Sequence, residues 1–430
     1  MNQTVAHLGG VHRVTPWDIA VVGAGAAGLM TAITARRLGL SALLLDSKEK
    51  IGAKILMSGG TRCNVTNQNV TERDFESEKP RVVRDVLAAF PSRQALQFFK
   101  ELGVDLVLEP GGKYFPTSHS AKTVLNALLS ECKKIGVQLE VEKKVTRLSV
   151  KESVFEIIGE NFSFVARSLV LCTGGFSYPA TGSDGSGYEL AKAFGHKMIF
   201  TTPALTPLTT EDSDWKSLSG VSLPVRLSFK EGNKKRAEFE GSFLFTHFGF
   251  SGPAALNISR HWLRSADKGR SVDANFLPHD NEETFRTFLA KATEKTPSRR
   301  LRNLLADKLP ERFVDIFITR LGIREEVILN QLTREERERL FRSLFNYSLP
   351  ITGVVGYKKA EATAGGIDLG EIDPRTLESK LQLGLFFSGE MLDVDGRIGG
   401  FNFQWAWSSG VTAARGAARY IQQGGQDETK

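Results

Sequence analysis

DIAVVGAGAAGLMTAITARRLGLSALLLD, residues 18–46, is the stretch whose reading decides the fold. Residues 19–22 are an apolar run fit for a short strand. Gly23, Gly25 and Gly28 follow in G-x-G-x-x-G spacing, and an Ala-rich helical pattern comes next. In this spacing the first two glycines allow a tight turn and close approach of backbone to a pyrophosphate, while the third lets the helix pack on the strand. The helix start, with Ala26 and Ala27 in its first turn, then aims N–H groups at the anion. A second apolar run, residues 41–45, ends in Asp46, whose carboxylate suits a ribose diol. Strand, turn, helix, strand and acid stand in the order of a dinucleotide-binding βαβ unit. The expected fold class is therefore α/β, with a Rossmann-like domain.

The 430 residues predict two or three domains. Charged residues at 24% and hydrophobic ones at 41% are the balance of a soluble globular chain. No apolar run approaches the roughly 20 residues that span a bilayer, so no membrane partner is expected. Residues 1–16 are polar, lack the apolar stretch of a signal peptide and read as a loose extension, which points to the cytoplasm. Cys63, Cys132 and Cys172 lie far apart with no C-x-x-C, which argues against a disulfide framework and a redox-active cysteine pair. The 7 histidines have no ligand-like spacing, so no metal is expected. A net charge of +7 biases the surface toward anionic partners, and clusters such as Arg299, Arg300 and Arg302 permit nucleic acid without requiring it.

Past Asp46, residues 48–67 become rich in small and polar side chains. Ser58, Gly59, Gly60, Thr61, Arg62, Cys63 and Asn64 together make little core and read as a turn or ligand cradle. Helical patterns occupy residues 81–102, around Pro91, and 121–135. Residues 137–166 read as short strands of a small antiparallel sheet, and residues 168–175 as a buried parallel strand stopped by Thr173, Gly174 and Gly175. The expected organisation is a first segment of the dinucleotide-binding domain at 17–201, a β-rich insert of barrel or sandwich character at 202–280, a helical insert at 281–349, and a second segment of the dinucleotide-binding domain at 350–430.

A nicotinamide dehydrogenase normally completes its site soon after the first βαβ unit. Here glycine-rich loops recur at the far end, which suits the extended FAD. Residues 385–387 form a strand ending in Gly389 and Glu390, where an acid can bond a ribityl hydroxyl or order water at the pyrophosphate. Gly399, Gly400, Phe401 and Asn402 then open the last helix, whose positive end would stabilise charge on a reduced flavin.

SGGTRCNVTN at 58–67, TGGFSYPATGSDGSGY at 173–188, THFGFSGPAAL at 246–256, ATAGGID at 362–368 and FSGEMLDVDGRIGGFNFQWAWSSG at 387–410 resemble the bacterial FAD-binding flavoproteins of the aminoacetone-oxidase or BaiN type. The resemblance runs over nearly the whole chain from Asp18 to Tyr420. It implies an FAD domain interrupted by a barrel and a helical insert, and Lys54 as a cofactor contact. This chain has Asp46 where Glu is frequent, Ala53 where Arg often precedes the Lys, and Thr61 in place of a third glycine. The family is associated with amine oxidation, with reduction of unsaturated steroid intermediates, and with dihydrouridine formation in large-subunit ribosomal RNA.

The resemblance leaves three readings. The first is an FAD enzyme, reduced by NADH or NADPH, that saturates a carbon–carbon bond, with ribosomal RNA uridine as the favoured substrate. The second is a small-molecule amine oxidase using oxygen, and the third an RNA-binding or assembly protein with a structural flavin. Reduction of uridine needs an acid opposite the hydride source. Cys63 beside Arg62 is one candidate, with Arg62 favouring the thiolate and binding a phosphate or carbonyl oxygen; the alternative is that Cys63 only packs. His247 is the other candidate acid or base. Tyr178, Asn402 and Gln404 are candidates for orienting a carbonyl-bearing ring.

Overall fold

The computed structural model describes residues 15–424. The extension expected at residues 1–16 lies outside them but for its last two residues. The chain forms two compact units: the part up to Thr201 together with the part from Ala362, and the stretch Thr202–Glu361 between them.

In the first unit the strand Trp17–Val22 sits mid-sheet. On one side it pairs in parallel with Ala42–Leu45, which pairs in parallel with Gln138–Glu140. On the other side it pairs in parallel with Ser163–Leu171. The separate antiparallel sheet expected over residues 137–166 is not separate. Ser163–Leu171 is one continuous strand, with no Gly, Pro, Asn or Asp along it to break it. Its first half pairs antiparallel with Val154–Gly159, which hairpins onto Val145–Lys151, while its second half enters the core and pairs in parallel with Leu385–Phe387. The late strand thus joins the sheet built by the first 171 residues.

The helices Ala26–Arg37 and Phe401–Gln422 pack on one another. Their approach is set by a missing side chain, since a Cβ at Gly410 would stand 2.7 Å from the carbonyl oxygen of Ala27; between the glycine turn and the first helix, one at Gly28 would stand 1.8 Å from the carbonyl oxygen of Gly23. The stretch expected as an irregular cradle begins instead as a helix, Ala53–Thr61. Its turns break at Ser58 (ψ 151°), Gly59 (φ 55°), Gly60 (φ 66°) and Thr61 (φ 69°), so the helical geometry ends before the SGGT run.

The second unit is an antiparallel ladder of seven strands, in spatial order Tyr347–Ser348, Arg270–Asn275, Ser222–Glu231, Lys234–Thr246, Gly249–Ser251, Leu208–Thr209 and Gly353–Val354. The helix Gly252–Arg264 packs against it. Helices Glu282–Lys295, Leu301–Ala306, Glu311–Arg320 and Arg334–Phe345 share one hydrophobic core with the strands. At its centre Trp215 stacks on Phe245 and Phe313 at ring separations of 5.5 and 6.0 Å, with the Arg320 guanidinium over it. Gly353–Val354 carries this unit past residue 350 to Glu361.

One buried imidazole helps hold the first unit. His196 Nδ1 lies 3.2 Å from Glu371 Oε2, its Nε2 lies 2.8 Å from Ser379 Oγ, and the ring meets Phe387 edge-on. A neutral ring satisfies both partners by donating from Nδ1 to the carboxylate and accepting the serine hydroxyl at Nε2. Burial pulls its pKa below the ordinary value, with Glu371 acting in the opposite direction.

Two predictions follow from these contacts. Gly410→Val should lower unfolding stability by about 1–3 kcal/mol through overpacking against a backbone oxygen that cannot move aside; an unchanged urea midpoint would contradict the packing. A depressed imidazole pKa means that the unfolded chain binds the proton more readily. The contribution of His196 is therefore complete above about pH 6.5 and is lost as pH falls through the lower folded value. The stability gap between wild type and His196→Gln, measured by thermal melts, should shrink from pH 8 to pH 5; a gap independent of pH would refute neutral burial.

Candidate functional site

The glycine turn between the first strand and first helix has the geometry of an anion cradle. Gly25 is the N-cap of the helix, with φ −79° and no side chain capping the first turn, so the N–H groups that begin at Ala26 face outward from the turn. An added Cβ at Gly25 would meet nothing within 4 Å, whereas Gly23 and Gly28 are closed off by backbone. Space is therefore kept open at the one glycine that faces the helix end. Asp46, at the end of its strand, accepts the Ala24 N–H at 2.7 Å and the Lys48 N–H at 2.8 Å. Burial holds its carboxyl above the usual carboxylate range, offset by those two bonds and the Lys48 charge. The acid thus braces the turn while standing at its mouth.

A second cluster joins four distant segments. Lys54 Nζ donates to Glu390 Oε2 at 2.6 Å and to Ser177 Oγ at 2.7 Å. The Ser177 hydroxyl donates to Glu390 Oε1, which also accepts the Thr363 N–H at 2.9 Å. Thr363 Oγ1 accepts the N–H groups of Phe176 and Ser177. Gly174 and Gly175 border this cluster: a Cβ on Gly175 would run into Thr363 Oγ1 and Glu390. Thr173 bonds Met391 through its N–H and hydroxyl, and Gly389 presses against the Ala27 side chain. Lys54 and Glu390 keep about a quarter of their side-chain surface exposed, at 27% and 22%. Ser177 and Thr363 were absent from the residues singled out in the sequence. Their only signal there was a hydroxyl placed beside or within a glycine run, in GGFS and ATAGG.

The third element is the start of the last helix. Gly400 is its N-cap at φ 92°, again without a side-chain cap. Asn67 Nδ2 donates to the carbonyl of Gly399 at 2.9 Å, and Asn402 exchanges two bonds of 2.8 Å with the Gly396 backbone. Asn402 thus braces the turn. The Phe401 ring is fully buried against Phe75. Gln404 is buried too and spends its amide on Thr66, Phe90 and Ser408, a structural position. Asn64 is 8% exposed, and its Oδ1 has no hydrogen-bond partner among the described residues. That oxygen lies 2.9 Å from where a Gly400 Cβ would stand, next to the helix start.

The catalytic candidates fall in different places. Cys63 is fully buried, and burial pushes its thiol up to about 12. Desolvation opposes the thiolate and outweighs the hydrogen bond with Ser58, which favours the reading of Cys63 as a packing residue. The Arg62 guanidinium is already paired with Glu109 at 2.8 Å and lies over the Phe115 ring at 4.0 Å. Gly59, Gly60, Thr61 and Cys63 all have φ between 55° and 69°. For the β-branched Thr61 this left-handed backbone is strained by about 1–3 kcal/mol. Its side chain bonds only the carbonyl of Gly60. His247 is exposed in the turn between Lys234–Thr246 and Gly249–Ser251 of the second unit, edge-on to Phe248. Tyr178 is half-buried at φ 50°.

Two uncapped helix starts, one of them with open space at its glycine, and an orphaned buried amide oxygen fit the pyrophosphate and ring of a flavin dinucleotide. Among the described residues no group of three His, Cys, Asp or Glu side chains is gathered for a metal ion, and no helix is long and apolar enough to cross a membrane. Fold and site define the class: this is an FAD-dependent oxidoreductase with a Rossmann-type domain. The chain belongs to the family described as HI0933-like protein Rossmann domain, whose model matches residues 17–416. It is 35% identical over 405 residues, 93% of this chain and 98% of the relative, to the ribosomal RNA dihydrouridine synthase of Haemophilus influenzae. It is 33% identical over 404 residues, with the same two coverages, to the 3-dehydro-bile acid delta(4,6)-reductase of Clostridium scindens. Among solved structures, the 3-ketosteroid delta1-dehydrogenase of Sterolibacterium denitrificans aligns over 94% of this chain and all of that one, at 13% identity and a TM-score of 0.49.

Gly25→Val should fold normally, since its Cβ meets no neighbour, yet purify without visible flavin absorbance because the added methyls fill the cradle. Full yellow colour in the folded variant would contradict this placement of the pyrophosphate.

Proposed function

We propose that the chain is an NADH- or NADPH-reduced FAD enzyme that saturates a conjugated carbon–carbon double bond, with uridine in large-subunit ribosomal RNA as substrate. The observation that carries the reading is near-full-length identity to relatives named for two different substrates. A dihydrouridine synthase and a delta(4,6)-reductase share one chemistry, the addition of hydride and proton across a C=C bond. In uridine that bond is conjugated to a carbonyl.

Bound FAD would supply the hydride chemistry. In the balanced reaction NAD(P)H is oxidised to NAD(P)+, its hydride ends on one carbon of the double bond, and a proton is added at the other. In this reading the residues at Gly23, Gly25, Ala26, Ala27 and Gly28 hold the pyrophosphate and Asp46 the ribose. Lys54, Thr173, Gly174, Gly175, Gly389 and Glu390 hold the middle of the cofactor. Gly59, Gly60, Thr61, Asn64, Gly399, Gly400, Phe401 and Asn402 shape the ring site. Arg62 is assigned to a substrate carbonyl or phosphate, to which it would transfer from Glu109. Cys63 is assigned to packing, because a thiol buried to this degree is a poor proton donor to a ligand. His247 is retained as the candidate acid.

The deciding experiment incubates unmodified ribosomal RNA with the protein and NADH or NADPH, then analyses nucleosides by mass spectrometry. New dihydrouridine, with activity lowered about 100-fold or more in His247→Gln, is the expected result. Fast peroxide release with a primary amine and untouched RNA would replace the proposal by an amine oxidase. A yellow protein inert to both nicotinamides would leave the flavin a structural role.

A further inference from the structure

The start of the helix Phe401–Gln422 and the side chain of Asn64 make a recognition pair of complementary polarity. The helix spans 22 residues, and its first N–H groups have no side-chain cap, so it presents donors and the positive end of its dipole. Beside it Asn64 presents the opposite polarity, an acceptor oxygen. The residue is 8% exposed and that Oδ1 has no partner among the described residues. A buried polar atom without a partner costs stability, so one retained beside an uncapped helix end points to a ligand that completes it. The surroundings hold the pair in place. A Gly400 Cβ would lie 2.9 Å from Asn64 Oδ1 and 2.7 Å from the Thr66 carbonyl, and Asn67 ties its own segment to Gly399.

A ligand matching both must offer an N–H donor next to carbonyl acceptors along one edge. A carboxylate or phosphate has acceptors only and would face Asn64 Oδ1 with repulsion. An amine has no acceptor for the helix. The group that carries acceptor, donor and acceptor in line is a cyclic imide, C(=O)–NH–C(=O). We infer that Asn64 and the first turn of the last helix form an imide-recognising subsite, Asn64 Oδ1 accepting the imide N–H and the helix N–H groups donating to its carbonyls. Two molecules of the proposed reaction carry this edge, the pyrimidine ring of flavin and the uracil ring of the substrate. The inference rests on the cofactor and substrate reading above and adds a specific acceptor to it. Asn64 acts here as a binding residue and takes no part in moving hydride or proton.

The test uses ligands whose imide nitrogen is blocked. Full-length protein stripped of flavin is titrated with FAD and with 3-methyl-FAD, following fluorescence quenching. The flavin-loaded protein is titrated separately with uridine and with 3-methyluridine. Loss of the N–H should weaken binding by roughly tenfold or more in one of the two pairs, since it leaves Asn64 Oδ1 buried and unpaired. Discrimination between the flavins assigns the subsite to the cofactor; discrimination between the nucleosides alone assigns it to the substrate. Asn64→Leu should then bring the discriminating pair to equal affinity. Equal affinities in both pairs for the wild-type protein overturn the inference, and this arm needs no variant that could misfold. If neither flavin binds, the cofactor reading fails, while the nucleoside arm, run on the flavin-free protein, still decides the imide subsite.

Discussion

Close backbone contact around Ala27 is the constraint on which the nucleotide-binding unit depends. Gly28 lets the first helix lie against the carbonyl of Gly23, Gly410 lets the last helix lie against the carbonyl of Ala27, and Gly389 sits on the Ala27 side chain. Each contact is possible only because a Cβ is missing, and together they bring the first and last parts of the chain to one place. The sheet repeats this convergence, with Ser163–Leu171 carrying Trp17–Val22 on one edge and Leu385–Phe387 on the other. Dispersion at such short separations, summed over the helix pair, favours this register over a slipped one in which side chains would collide.

Polar contacts then fix what packing brings near. Glu390 takes donors from Lys54, Ser177 and Thr363, three segments that hydrophobic patterning alone would leave free to shift. A carboxylate held by three donors keeps its orientation, while its partial exposure leaves lone-pair capacity for a hydroxyl-bearing ligand. The neighbouring SGGTRC run stores strain at Thr61 and Cys63. Such strain persists only when surroundings over-determine it, and here Arg62 anchors the loop to Glu109 and Phe115 while the Cys63 side chain is locked in the core.

The intervening unit follows a different logic. Its strands and helices have a single apolar core, organised on Trp215 and lidded by Arg320, so neither half of it has a separate interior. Arg320 also pairs with Asp212, the residue that caps the short helix Ser213–Ser217. One cation thereby ties a helix cap, an aromatic stack and the helix Glu311–Arg320 together.

The glycine turn, the first βαβ unit, the split of the chain by a long insert and the helices flanking Pro91 were legible in the sequence because each is written in local spacing. Turn geometry needs glycine at fixed offsets, and amphipathic helices need apolar residues at helical period. The family resemblance added the cofactor class. Partnership across hundreds of residues has no such period. That Ser177 and Thr363 orient Glu390, that His196 bridges Glu371 and Ser379, and that Arg62 belongs to Glu109 became visible only once the sheet had aligned their strands. The burial of Cys63 likewise depends on what closes over it, and it favours the packing alternative for that residue over the thiolate one. The sequence by itself determined that a glycine turn with an uncapped helix start forms at Gly25, because that turn is made of neighbouring backbone. Only the tertiary structure decided that Asn64 Oδ1 stands without a partner among the described residues beside Gly400, because an orphaned atom is defined by every group that fails to reach it.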